Sequence, residues 1–176
     1  MILKGFKEKS IKKQLNLILN ASKENVENRK IKSMGVVLNA DEISDFDALR
    51  SIAEAVNVKP NKLKIIAFSN IKHEGACACN ICFNPKDFSW NGKITNPELQ
   101  TFVKTDFDVL ISYYAKEVLE LKYITAKSKA TFKVGIFQLD ERLNDLIVKT
   151  DLNQITDFKN ELCKYLKVLN KLDDEQ

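Results

Sequence analysis

Four soft metal ligands lie within ten residues of this chain: His73, Cys77, Cys79 and Cys82. Tetrahedral zinc takes four such ligands, and the Cys79-x2-Cys82 spacing suits one pair. A structural zinc site usually draws its two pairs from separated segments, whereas all four residues here come from one. Cys82 stands in the apolar run Ile81-Cys-Phe83, where a free cysteine packs as a small hydrophobe. The competing reading is a small-residue loop, Gly75-Ala-Cys-Ala-Cys79, with two exposed thiols and one buried one. The expectation is a metal-free segment and a protein without a cofactor. Cys163 falls beside the apolar face of the last helix and reads as packing.

Other chemistry is constrained by what the chain lacks. It has one histidine, so a Ser-His-Asp or Cys-His arrangement has a single available base, and nothing in the pattern orients it. The carboxylate pairs Asp106/Asp108 and Asp140/Glu141 flank apolar runs and read as caps and solubilising charges more readily than as acid/base pairs. There are five glycines, none in a GxGxxG or GxxxxGK[ST] pattern. Gly35 and Gly135 fall inside expected strands, not at the strand-to-helix turns where a phosphate is cradled. Polar residues at expected strand ends, Asn39, Asp41, Ser69, Asn70, Ser112, Tyr113, Asp140 and Arg142, are the candidates for a small ligand pocket. Their plainer role is turn formation and helix capping.

Charge points to a partner more than to a reaction. Residues 1–32 hold nine basic and three acidic side chains, a net +6, against −2 for residues 33–176. Lys4, Lys7, Lys9, Lys12 and Lys13 form one group, and Arg29, Lys30 and Lys32 a second. A concentrated excess of this kind suits a polyanion, with phosphates neutralised by lysine and arginine. Lys122, Lys127, Lys129 and Lys133 form a further patch if their elements adjoin. The bland alternative is the solvated face of an amphipathic helix. An anionic membrane surface suits the arm less well, because a broad aromatic-rich face is missing. The segment Phe83-Asn-Pro-Lys-Asp-Phe-Ser-Trp-Asn-Gly-Lys93 holds the only tryptophan. Aromatics among lysines suit stacking on bases, although packing of Phe88 and Trp90 onto the body is the preferred reading. Phe6 is expected to be exposed beside the arm.

The elements that must position these residues follow from periodicity. Residues 2–20 read as a helix with Ile11, Leu15, Ile18 and Leu19 on one face, docking from Ile11 onward while its first two turns project. From residue 34 short apolar runs alternate with helical patterns. Strands are expected at 34–38, 63–68, 107–113 and 132–137, with a shorter one at 81–83. Helices are expected at 45–56, with Ser44 and Asp47 as a capping pair, from Asn96-Pro97, at 115–129 and at about 152–172. The last carries Ile155, Phe158, Leu162, Leu166 and Leu169 on its apolar face. Alternation and continuous apolar strands predict an α/β protein: a three-layer, Rossmann-like or flavodoxin-like, mostly parallel sheet of about five strands, with an N-terminal basic helix. The division expected is a basic helical arm and connection, 1–32, and a single α/β domain, 33–176.

Lys59-Pro-Asn-Lys-Leu-Lys-Ile-Ile-Ala-Phe68, Cys82 to Phe88, Trp90-Asn-Gly-Lys93, Glu98 to Phe102, Phe107 to Tyr114 and Asp140 to Ile147 together resemble a bacterial family of about this length that is labelled only as a domain of unknown function. The resemblance spans the chain and implies a bacterial setting and no particular activity. Residues 106–137 also resemble, in rhythm, one strand-helix-strand unit of heptosyltransferase-type sugar transferases. With no signal peptide and no apolar run near the ~20 residues of a membrane span, a cytoplasmic protein with thiol cysteines is expected. The leading expectation is a non-catalytic adaptor that contacts RNA or an RNA-protein particle, such as the ribosome, through the basic arm. The rivals are an enzyme or sensor with a nucleotide or nucleotide-sugar at its strand ends, and a metal- or redox-responsive protein using the cysteine segment. Oligomeric state is left open.

Overall fold

A computed structural model describes residues 2–21, 28–43, 45–70, 81–136 and 140–173. Six parallel strands form one sheet in the order β3-β2-β1-β4-β5-β6. They are β1 (Met34–Asn39), β2 (Leu63–Phe68), β3 (Ile81–Phe83), β4 (Val109–Tyr113), β5 (Phe132–Ile136) and β6 (Leu146–Val148). The helices are α1 (Ile2–Asn20), α2 (Phe46–Ala55), α3 (Pro97–Lys104), α4 (Leu119–Lys127) and α5 (Ile155–Val168). The α/β expectation holds, with six strands where about five were expected. The additional one is β6, paired in parallel with β5 through Val134↔Leu146.

The central strands explain the layering. All six residues of β1 and all five of β4 are buried, which requires cover on both faces. On one face Met34, Val36, Leu38, Ile111 and Tyr113 pack against Leu49 and Ile52 of α2 and Phe158, Leu162 and Leu166 of α5. On the other, Val37, Ile66 and Leu110 pack against Ile11 and Leu15 of α1, Leu99 and Phe102 of α3, and Leu121 and Ile124 of α4. Gly35 belongs to this second face. A Cβ there would lie 2.9 Å from the Phe107 ring, so the glycine admits the Phe102–Phe107 pair, whose ring centroids are 5.1 Å apart.

Side-chain caps set the starts of two helices, α2 and α3. Asn96 caps α3, its Oδ1 accepting from Glu98 N and Leu99 N, with Pro97 next. Asp45, not Ser44, caps α2, its Oδ1 accepting from Ala48 N at 2.9 Å. Ser44 itself lies outside the described residues. The α2 stop is Asn57 at φ 58°, a left-handed position that asparagine tolerates. α4 and α5 are shorter than the periodicity predicts, and Leu169 falls beyond the end of α5, exposed. Phe137 lies outside the described residues.

α1 does not project from the body. Ile11 and Leu15 are buried in the core beside α4. Its second turn is tied by Lys7 Nζ to Pro85 O at 2.7 Å, and its last residue, Asn20, accepts from Arg142 Nη1 at 2.8 Å. The helix therefore crosses from the segment after β3 to the turn after β5. No helix among the described residues is long and apolar enough to cross a membrane.

Candidate nucleic-acid interface

The turn at residues 88–94 is the mount for the only tryptophan. An antiparallel bridge joins Phe88 and Ile94, and Ser89 N donates to Lys93 O at 2.9 Å. Gly92 takes φ +78°, and a Cβ there would stand 2.9 Å from Gln14 Nε2 and 3.2 Å from Ile11. Glycine is thus required both for the backbone conformation and for the approach of α1. Ser10 Oγ (2.6 Å) and Gln14 Nε2 (2.8 Å) both donate to Asn91 O. The Gln14 carbonyl oxygen in turn accepts from Tyr123 Oη at 2.5 Å, so one side chain ties α1 to the turn and to α4. Burial pushes the Tyr123 phenol up.

This mount separates two neighbouring aromatics. Phe88 is buried and packs at 6.3 Å from Phe83 and 6.2 Å from Tyr123. Trp90 is 65% exposed, so the expectation that it packs down onto the body is corrected. Phe6 is 58% exposed, as expected. Phe6 and Trp90 line a groove of about 250 Å³ with Lys9, Ser10, Lys13 and Asn91. Lys12 is exposed on the same helix.

A larger cleft, about 600 Å³, adjoins the groove and shares Trp90 with it. Lys4, Lys7 and Glu8 of α1, Lys86, Phe88 and Glu120 are among its lining residues. It lies at the carboxyl ends of the strands, since Asn70 follows β2, Pro85 follows β3 and Val118 follows β4. Pro85–Asp87 is a single turn held by a capping box from Asn84 and Asp87, so Lys86 stands on a fixed backbone. Glu120 opens α4. Burial pushes its carboxyl up and neighbouring Glu8 adds to the rise, while its own backbone N–H, Lys7 and Lys4 oppose it. Nothing in the sequence marks Glu120, and Lys86 stands out only as part of the aromatic segment.

The second basic group does not join the first. Arg29 Nη1 is 3.4 Å from Asp106. Lys30 Nζ donates to Asn170 Oδ1 at 2.8 Å and Leu172 O at 2.6 Å. Lys32 is exposed, and its backbone N–H and that of Ser33 donate to Asp108 Oδ2. These contacts cluster at the amino end of the sheet, opposite the cleft. Strands of five or six residues put roughly 17–20 Å between the two ends. The remaining patch is internally engaged too. Lys122 pairs with Glu117, Lys127 lies 5.5 Å from the centre of the Tyr123 ring, and Lys133 Nζ donates to Ala126 O at 3.0 Å. Lys129 is exposed.

The strand-end candidates for a small pocket fall into three separate places. Asn39, Asp41 and Ser69 converge at the ends of β1 and β2, joined by Glu42, which carried no signal in the sequence. Asn39 Nδ2 donates to Glu42 Oε2 at 2.9 Å, Lys116 N donates to both Glu42 oxygens at 3.1 and 3.2 Å, and Ser69 Oγ donates to Asp41 Oδ1 at 2.5 Å. Asn70 N donates to Asp41 Oδ2 at 3.0 Å. In a doubly wound sheet the crevice between β1 and β4 is where the strand order reverses and ligands enter. Here the Glu42 carboxylate spans it, from Asn39 at the end of β1 to Lys116 N after β4. Ser112 and Tyr113 are fully buried and point to opposite faces. Ser112 Oγ donates to Thr125 Oγ1 at 3.3 Å, and Tyr113 Oη donates to Leu152 O at 3.0 Å. Asp140 and Arg142 pair with each other after β5, with two contacts of 2.9 Å. The guanidinium holds the Asp140 carboxyl below its usual range.

Of the metal candidates, His73, Cys77 and Cys79 lie outside the described residues. Cys82 is exposed on edge strand β3 and disulfide-bonded. This corrects both the expected core setting and the expected thiol: on an edge strand, Ile81 and Phe83 turn inward and the residue between them turns out. Cys163 is a free thiol packed toward α2, and burial pushes its pKa up. Among the described residues no cluster of three or more metal-ligating side chains occurs.

Fold and site together define an α/β protein with a doubly wound parallel sheet, its crossover crevice closed and an open, lysine-lined cleft beside a basic helix. The chain belongs to a family of unknown function, DUF6913, whose model matches residues 7–169. No curated protein and no solved structure gives a match.

Proposed function

We propose that the protein is a non-catalytic RNA-binding adaptor that holds single-stranded RNA, free or in an RNA-protein particle, on the outer face of α1. This reading goes with the cytoplasmic, bacterial setting that the sequence resemblance implies. The observation that carries the reading is the groove in which exposed Phe6 and Trp90 flank Lys9 and Lys13. Aromatic faces stack on bases without regard to sequence, and lysines neutralise the phosphates between them. Lys12 extends the positive strip along the helix. Arg29 and Lys30 are left out of this interface, because their contacts are made at the far end of the sheet. The carboxylate-spanned crevice between β1 and β4 weighs against a nucleotide at the usual position, and the β1–α2 turn, Ala40 to Asp45, has no glycine.

The test is the affinity for a short oligouridine as a function of salt. Each lysine in contact contributes about 0.7 to the log–log slope on a single strand. Lys9→Gln, Lys12→Gln and Lys13→Gln together are expected to flatten it by about 2. Trp90→Ala is expected to cost about 1–3 kcal/mol of binding per base stacked and less than about 0.5 kcal/mol of stability, as an exposed side chain should. Absence of binding at low salt, or equal slopes for wild type and triple variant, overturns the reading.

A further inference from the structure

The cleft of about 600 Å³ is not needed for RNA to lie along α1, yet it is a well-formed concavity at the strand ends. Its volume lies inside the roughly 300–1,000 Å³ range of small-molecule sites. Its walls have two characters. Phe88, Val118 and Pro85 form an apolar side, and Trp90 contributes a ring. Three lysines, Lys4, Lys7 and Lys86, face two carboxylates, Glu8 and Glu120. We propose that this cleft is a binding site for a nucleoside monophosphate, with the base against Trp90, the phosphate on Lys4 and Lys86, and a ribose hydroxyl donating to Glu120.

The charge count decides between mono- and polyphosphates. Three lysines against two carboxylates leave a formal +1. A monophosphate ester carries about −1.5 to −2 at neutral pH, close to balance, whereas each added phosphate leaves further uncompensated charge. A di- or triphosphate also calls for a run of backbone N–H groups at a glycine-rich turn. Here Pro85 opens the only described turn between β3 and Phe88, and proline has no N–H to give. Lysines acting as point charges suit one compact phosphate. Lys7 is already positioned by Pro85 O, which leaves Lys4 and Lys86 as the two exposed cations. Glu120 is a partly buried acceptor at the start of α4, and a sugar hydroxyl can add a donor to it without bringing a second anion into the cleft.

Trp90 is the only tryptophan in the chain, so its emission reports on the cleft directly. AMP and adenosine are titrated into the full chain, with oligouridine binding measured in parallel. AMP is expected to change Trp90 emission saturably, and adenosine to bind at least about tenfold more weakly for want of a charge-assisted phosphate contact. Lys86→Gln, at an exposed position, is expected to weaken AMP by about tenfold and leave oligouridine unaffected. Lys9→Gln with Lys13→Gln is expected to do the reverse. No saturable change up to about 10 mM AMP, a range that covers weak affinities, overturns the proposal. So does equal affinity for AMP and adenosine, or an unchanged AMP affinity in Lys86→Gln. Oligouridine binding without AMP binding removes the cleft site and spares the RNA reading. AMP binding without oligouridine binding does the opposite.

Discussion

The two faces of the sheet are finished in different ways. On the α2/α5 face helices cover the centre of the sheet, where the Tyr113 and Phe158 rings meet at 5.1 Å, and a small cavity of about 180 Å³ lies at its edge, between α2 and β2. At the carboxyl end of β1 and β4, Glu42 accepts from Lys116 N and Asn39, so the donors that would meet an anion are already used. On the α1/α3/α4 face a chain of aromatics, Phe68, Phe83, Phe88 and Tyr123, runs outward at successive centroid distances of 5.4, 6.3 and 6.2 Å. It ends beside exposed Trp90 and the lysines of α1. One sheet topology thus offers two strand-end depressions. A carboxylate closes one to anions, and lysines open the other. The position of a ligand follows from these side chains and not from the fold alone.

The strongest way to break the contrast is through the closed face. Leu162 is fully buried against the sheet, and Leu162→Ala is expected to cost about 2–5 kcal/mol of stability by removing a large side chain and leaving a cavity. Denaturant unfolding checks it. A loss below about 0.5 kcal/mol would mean that this face is not the sealed one.

A smaller effect is expected from opening the crevice. Glu42→Ala leaves the buried Asn39 amide without its acceptor, at a cost of about 1–3 kcal/mol. If the crevice is only a structural plug, AMP and oligouridine affinities stay as in the wild type. A gain of nucleotide affinity in Glu42→Ala that survives Lys86→Gln would move the small-ligand site to the β1/β4 crevice.

The smallest effect is pH-dependent. Burial pushes the Tyr113 phenol up to about 12, from about 10 in an unfolded chain. Above pH 10 the unfolded state loses this proton more readily than the folded state. Stability that Tyr113 supplies at neutral pH is therefore lost as pH rises from about 10 toward 12. Tyr113→Phe is expected to cost about 1 kcal/mol at pH 7, through the bond to Leu152 O, and the gap to wild type should narrow or reverse near pH 11. A constant gap across that range would show that the phenol is solvated.

Much of the architecture was legible in local pattern. Met34 to Leu38 and Val109 to Tyr113 read as strands because residues buried on both faces leave unbroken apolar runs. Asn96-Pro97 read as a helix start because the cap and the fixed proline φ act locally. β6 was missed, since three apolar residues do not distinguish a strand from any other buried segment. Ser44 and Asp45 are both of a residue type that caps helices, so type alone does not pick out Asp45, which accepts from Ala48 N. Of the proposed site, the lysines and the aromatic segment could be read from composition, whereas Glu42 and Glu120 could not, because each is one carboxylate among many.

By itself the sequence determined the class of fold, the burial faces of α3 and α5, and the concentration of charge in the first 32 residues. Those follow from interactions between residues a few positions apart. Tertiary structure alone decided that the two basic groups lie at opposite ends of the sheet, with a strand's length of ladder between them. It also decided that Trp90 stays out while Phe88 goes in. Contacts with α1, 77 and 81 positions away in sequence, settle that second point. Ser10 and Gln14 hold the turn from one side, and Gly92 lets them approach. No pattern within the turn itself contains that information.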